Sequence, residues 1–246
     1  MQHFGDTVDR HDIDRFAAQS ANWWDPSGSF GPLHRINPVR IDFIRRELVA
    51  HFRRDARSLS PFAGLTLADI GCGGGLATEP MARLGFDATG IDAGADTIAA
   101  ARAHADSSGL AIDYQVADID GAAHAGKRFD VVLALEIVEH VADRDSFLAT
   151  LGGLVKPGGA LIGATLNRTA RSFAMAIVGA EYVLRWLPPG THDWNRFVRP
   201  SEFVLGLRRS GLATTRLAGL GYDWRGGGWS QTDDLSVNYM LVAVRR

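Results

Sequence analysis

Apolar positions along this chain fall into short runs separated by stretches of helical periodicity, and a regular alternation begins near residue 65. Leu65-Thr-Leu-Ala-Asp-Ile70 is a short, mostly apolar run that predicts a strand, and glycines end it at once. The pattern then predicts a helix over 76–84, a strand at 87–92, a helix at 95–107 and strands at 112–117 and 129–135. A helix at 145–155 and a strand at 160–166 complete the series. Beyond 166 the rhythm breaks, and an insertion precedes a helix at 200–209 and two further strands at 213–217 and 237–244. Before residue 60, helices are expected over 10–21 and from Asn37-Pro38 to 49. Strands alternating with helices imply a parallel sheet covered on both faces. The expected fold is a doubly wound α/β domain spanning 1–246. It comprises a helical extension (1–60), a core (61–166), an insertion after the fifth strand (167–197) and a C-terminal part of the sheet (198–246).

Composition narrows the class. Apolar residues make up 46% of the 246 positions and charged residues 22%, ordinary for a globular chain that buries a core. Twenty-six basic against 28 acidic residues leave a formal charge of -2, which argues against a protein built to coat nucleic acid. A single cysteine, Cys72, excludes an internal disulfide framework. The N-terminal MQHFGDTVDRHDIDRF is acidic without an apolar core, unlike a secretory or transit signal, and no apolar run approaches the ~20 residues of a membrane span. A soluble, intracellular protein is expected.

Ligands of doubly wound sheets bind outside the carboxyl ends of the strands. Asp69-Ile-Gly71-Cys-Gly73-Gly-Gly75 lies at such an end, and its glycines allow a sharp turn and close approach of backbone to a ligand. Asp92 ends the next strand about 20 residues on, where a carboxylate reaches a ribose diol. A nicotinamide-binding loop would want glycine where Leu76 stands, so a dinucleotide oxidoreductase is the fallback from fold alone. A turn with glycine only for packing is the bland alternative.

The loop resembles the first motif of the class I S-adenosylmethionine-dependent methyltransferases, an acidic residue followed by G-x-G-x-G. That resemblance implies a Rossmann-like sheet. It implies that Gly71 and Gly73 line the methionine part of the cofactor, that Asp92 holds the ribose hydroxyls, and that Asp118 lies near the adenine amino group. Leu135 is placed beside the adenine or methionine moiety, and Val155-Lys-Pro-Gly-Gly159 resembles the turn before the fifth strand.

The fourth strand runs into Glu136-Ile-Val-Glu139-His140. On a helical turn, positions i, i+3 and i+4 share a face, so the three side chains could converge on a divalent cation such as Mg²⁺. A cation there would hold two acceptor oxygens and favour deprotonation of one. His140 as a metal-free general base and a purely structural cluster are the alternatives. Glu136 and His140 are the candidate catalytic residues in either chemical case. No N/D-P-P-aromatic motif is present, which weighs against a nucleic-acid amino group as acceptor.

Segments outside the core carry a narrower resemblance, to the ubiquinone-biosynthesis O-methyltransferases. They are Phe16-Ala-Ala-x-x-Ala-Asn-Trp23-Trp24-Asp25, Pro32-Leu-His-Arg-Ile-Asn-Pro38-Val-Arg40, Thr165-Leu-Asn-Arg168, Val178-Gly-Ala-Glu-Tyr182, Gly190-Thr-His192-Asp193 and Val237-Asn-Tyr-Met240. The resemblance implies methyl transfer to hydroxyls of a polyprenylated phenol or catechol and of a demethylubiquinol. Carried over, Arg40 contacts the cofactor carboxylate, a task suited to a guanidinium fork. Trp23 and Trp24 are either core aromatics of the extension or substrate contacts, and His192 and Asp193 either approach the acceptor or form a turn. Such acceptors carry isoprenoid tails. Phe173, Ile177, Ala180, Leu184 and Leu187 form one apolar stripe within 168–187, flanked by Arg168, Arg171 and Arg185. The expectation is a cytoplasmic enzyme touching the inner face of the cell membrane there, or a lid over the site. Other proteins of the pathway are expected partners. A class I enzyme for another small catechol and a cofactor-binding scaffold remain open.

Overall fold

A computed structural model describes residues 20–124, 126–175, 177, 193–223 and 227–246. The elements are α1 (Gly31–His51), β1 (Thr66–Ile70), α2 (Thr78–Arg83), β2 (Asp87–Asp92), α3 (Ala95–Ser107), β3 (Asp113–Val116), α4 (Ile119–His124), β4 (Phe129–Leu135), α5 (Arg144–Leu154), β5 (Val155–Leu166), α6 (Ala170–Ser172), α7 (Pro200–Arg209), β6 (Leu212–Asp223), β7 (Gly228–Thr232) and β8 (Asn238–Arg245). Short 3₁₀ turns occur at Ser20–Asn22 and Trp194–Arg196.

The strands form one sheet in the order β3-β2-β1-β4-β5-β8-β6-β7. Strands β1 to β5 pair in parallel, whereas β8 runs antiparallel to both β5 and β6, and β7 closes the edge antiparallel to β6. The strand order reverses between β1 and β4, so the crevice expected to bind a ligand lies at their carboxyl ends.

Alternation along the strands sorts side chains to two faces. Ala68, Val132, Ala134 and Leu161 pack with Phe147, Leu148 and Leu151 of α5 and with Phe203 and Leu207 of α7. Leu67, Val131, Leu133 and Ile162 pack with Ile36, Phe43, Ile44 and Leu48 of α1. A 21-residue helix from the extension thus covers one face and carries its N-terminal half toward the glycine loop.

Several elements differ from the pattern's expectation. Helix α1 begins at Gly31 rather than at Asn37. Pro32 sits in its first turn, where a missing N–H costs nothing, and Pro38 is accommodated inside the helix. Strand β5 starts at Val155, five residues before the expected 160, because Val155 already pairs with Phe129. Helix α4 and strand β7 were not anticipated; each is short and has no long apolar period to announce it. The helix expected at 10–21 lies almost wholly outside the described residues, as does the stripe beyond Ile177.

Candidate active site

The glycine loop leaves β1 at the strand-order reversal. Gly71 and Gly73 adopt φ of 71° and 54°, left-handed values that cost an L-residue with a side chain roughly 1–2 kcal/mol. Gly71 and Cys72 donate backbone N–H to the Ile91 carbonyl at 2.8 and 3.1 Å, which binds the loop to the end of β2. The Gly73 N–H donates to Asp92 Oδ2 at 3.0 Å, and the Gly94 N–H to Asp92 Oδ1 at 2.8 Å. Asp92 is therefore held against the loop. Burial pushes its carboxyl above the usual range, while these two N–H groups act in the opposite sense.

Asp69 lies at the carboxyl end of β1, 2% exposed, and accepts from Thr78 Oγ at 2.6 Å. Desolvation raises its carboxyl to about 6, and the nearby Asp92 charge adds to the shift. Cys72 is buried, and desolvation followed by the Asp92 and Asp69 charges pushes its thiol up, so it is no nucleophile. Asp118 follows β3 and accepts the Gly121 N–H at 2.7 Å, capping the first turn of α4. Leu135 ends β4, half-buried beside the α1-side core.

Across the crevice, Glu136 has φ of 52°, unusual for a residue with a side chain. Its N–H donates to the Ala164 carbonyl at 2.9 Å, and its carboxylate pairs with the guanidinium of Arg40 from α1. Arg40 is 7% exposed, and its Nε has no partner among the described residues. Glu139 is buried and accepts from Thr165 Oγ at 2.8 Å. Its carboxyl rises to about 8, chiefly through desolvation and then through Glu136 beside it, opposed by His140.

Glu136, Glu139 and His140 thus lie in mutual electrostatic reach, but the helical premise behind their spacing fails. Positions 136–140 form a bend and a turn, not a helix. Among the described residues, no three His, Cys, Asp or Glu side chains are grouped as metal ligands.

Pattern reasoning missed several contacts. Trp23 packs directly on the loop: a Cβ at Gly73 or Gly74 would lie 2.2 Å from its ring. Trp24 Nε1 donates to the Gly74 carbonyl at 3.0 Å, and Asn37 Nδ2 to the Leu76 carbonyl at 2.7 Å. Asp193 caps the turn at Trp194–Arg196, whereas His192 lies outside the described residues.

The profile of a methyltransferase-domain family matches residues 68–163, the stretch from β1 through most of β5. The ubiquinone biosynthesis O-methyltransferase of Paramagnetospirillum magneticum is 52% identical over 245 residues, covering 100% of this chain and 98% of that protein. The chain belongs to the ubiquinone biosynthesis O-methyltransferase family. The family's member from Azorhizobium caulinodans is also 52% identical, over 236 residues, covering 96% of this chain and 93% of its own. Among solved structures, the magnesium protoporphyrin IX methyltransferase of Synechocystis PCC 6803 with bound SAH superposes with a TM-score of 0.65 at 16% identity. The match covers 96% of this chain and 100% of that one. An S-adenosylmethionine-dependent methyltransferase from Clostridium acetobutylicum gives 0.62 at 12% identity, covering 94% and 98%. These likenesses establish the fold expected for the family, a Rossmann-like class I methyltransferase sheet.

Proposed function

We propose that this chain is an S-adenosylmethionine-dependent O-methyltransferase of ubiquinone biosynthesis, acting on hydroxyls of polyprenylated phenol or catechol and demethylubiquinol intermediates. The observation that carries the reading is the glycine loop with Asp92 on the Gly73 N–H, at the carboxyl end of β1, beside β4, which leads into Arg40-paired Glu136 and buried Glu139. Whole-chain identity to the family supports the acceptor class.

Gly71 and Gly73 line the methionine part of the cofactor, and Asp92 offers carboxylate oxygens to the ribose. The partnerless Nε of Arg40 suits the cofactor carboxylate, a buried donor that otherwise goes unsatisfied. Asp118 and Leu135 border the adenine. In the transfer, the acceptor oxygen forms a bond to the sulfonium methyl carbon as the S–CH₃ bond breaks. The bonding pair stays on sulfur, giving a neutral thioether. The acceptor proton must leave, because a phenol with pKa near ~10 is a poor nucleophile at neutral pH. His140 takes that proton where no cation occupies the cluster. Alignment carries much of the rate, since the donor's charge disappears in the transition state.

The two carboxylates are donor types suited to a hard divalent cation such as Mg²⁺, whereas the imidazole suits a softer one such as Zn²⁺ or Fe²⁺. Glu139, raised to about 8 beside Glu136, carries its proton at neutral pH and would release it on binding a cation. Glu136, Glu139 and His140 would hold it. When bound it would supply Lewis acidity toward a catechol oxygen.

Among the described residues no helix is long and apolar enough to cross a membrane. Phe173 (45%) and Met175 (39%) are exposed at the start of 168–187, which supports peripheral contact of that segment with the inner face of the cell membrane.

The test is methyl transfer from labelled S-adenosylmethionine to a prenylated catechol and to a short soluble catechol, each with and without chelator. Turnover with a strong preference for the prenylated acceptor is expected, with chelator silencing it and Mg²⁺ restoring it. Equal turnover of the soluble acceptor would overturn the substrate assignment, and full activity after exhaustive chelation would remove the cation.

A further inference from the structure

Trp23 and Trp24 are placed by contacts that core building does not explain. Neither belongs to any of the three apolar clusters formed by the described residues. Trp23 is nevertheless 7% exposed, because its ring packs against the glycine loop and, tilted by 30°, against Phe30, 3.9 Å between ring centroids. The loop surface it covers belongs to Gly73 and Gly74, the two residues that could not carry a Cβ beneath it.

Trp24 continues the contact outward. Its indole N–H donates to the Gly74 carbonyl, and its ring stacks on the imidazole of His104, 3.5 Å between centroids and 4° from parallel. The His104 ring is fixed in turn by Glu79, whose Oε1 lies 2.6 Å from Nδ1. Glu79 is 2% exposed in the first turn of α2, directly after the loop, and Arg83 reaches its other oxygen at 3.6 Å. The chain of contacts therefore leaves the loop at Gly74, passes through Trp24 and His104 on α3, and returns at Glu79 on α2.

We propose that Trp24, His104 and Glu79 form a clasp that seats Trp23 on the glycine loop and sets how fast the cofactor and its thioether product leave. They are positioning residues, acting through the loop rather than on the methyl group. The Gly73 N–H is committed to Asp92 and the Gly74 carbonyl to Trp24, so the two peptide planes that flank the 73–74 plane are each held. Freeing the carbonyl side leaves the ribose-binding acid attached to a loop that can turn. The proposal rests on the cofactor reading above.

The experiment is stopped-flow dissociation of S-adenosylhomocysteine, followed by tryptophan fluorescence, with steady-state turnover alongside. His104→Ala removes the stacking partner, and Trp24→Phe keeps the stack but loses the indole N–H. His104→Ala is expected to raise the dissociation rate about tenfold, the size of one lost ring contact with its polar anchor. Trp24→Phe should raise it about threefold. KM for S-adenosylmethionine should follow these factors, while kcat changes far less. A variant that only loosens the fold would lower the melting temperature without this split. Dissociation rates equal to the parent's in both variants would overturn the clasp. Calorimetry on the parent separates the two readings: if it binds neither cofactor form, the proposed function fails; if it binds and the variants match it, the clasp fails alone.

Discussion

Gly73→Ala is a perturbation whose cost can be assembled from the structure and then partly undone. At φ of 54°, any L-side chain costs roughly 1–2 kcal/mol. The new Cβ would also stand 2.2 Å from Trp23 Cζ2 and 2.6 Å from Cη2, an overlap that adds about 1–3 kcal/mol by overpacking. Those two atoms belong to the outer ring of the indole, which phenylalanine lacks. Trp23→Phe in the same background should recover the steric part and leave the backbone strain. Gly74→Ala supplies the control. There the Cβ meets Trp23 Cδ1 at 2.2 Å and Cγ at 2.3 Å, atoms next to the side chain's root that phenylalanine keeps. Urea unfolding of both double-mutant cycles is the assay. A coupling of about 1–3 kcal/mol is expected for Gly73 with Trp23, and one within ~0.5 kcal/mol of zero for Gly74 with Trp23. Equal couplings in the two cycles would refute the placement of the indole on the loop.

Arg40→Lys keeps the positive charge beside Glu136 but loses the buried Nε and the planar fork; cofactor affinity should fall about tenfold in calorimetry, and an unchanged Kd would remove Arg40 from the cofactor site. Asp69, raised to about 6, contributes stability that is complete below its ordinary value near 4 and is lost as pH rises through 6. Asp69→Asn should therefore gain about 1–2 kcal/mol relative to the parent between pH 5 and pH 7, read from urea midpoints, and a pH-independent difference would contradict the buried-acid account.

The first half of the sheet was legible because its elements obey one period at a time. Strands at 87–92 and 129–135 and helices at 95–107 and 200–209 have the bounds that alternation and periodicity predict. Asp92 was legible too, since a strand end at fixed distance from a glycine loop leaves few places for the side chain to go. Other features left no local trace. The Arg40–Glu136 pair joins positions 96 apart, and only the packing of α1 on the sheet brings them together. Glu136 takes a left-handed φ without being glycine, so the turn that dismantles the expected helix is invisible in residue types. Trp23 and Trp24 read equally well as core aromatics until the loop beneath them is in view.

The distribution of acids ties these observations to the proposed chemistry. Asp69, Asp92 and Glu139 stand at the carboxyl ends of β1 and β2 and just past β4, and burial raises all three. For Asp69 the shift corresponds to roughly 3 kcal/mol of folding stability given up at neutral pH. Apolar replacements would relieve that cost, so packing alone gives no reason for three desolvated acids around one crevice. Arg40 offsets Glu136 directly, and hydrogen bonds from Thr78, Gly73, Gly94 and Thr165 reach the other three. Those donors hold the carboxyl groups in place, and a positive charge brought beside them would draw the raised ones, Glu139 above all, back to the ionised form. A ligand bearing positive charge meets an environment already organised for it, and a sulfonium donor qualifies where its neutral thioether product does not. Under the proposed function, the same buried acids that weaken the fold favour the substrate form of the cofactor over the spent one.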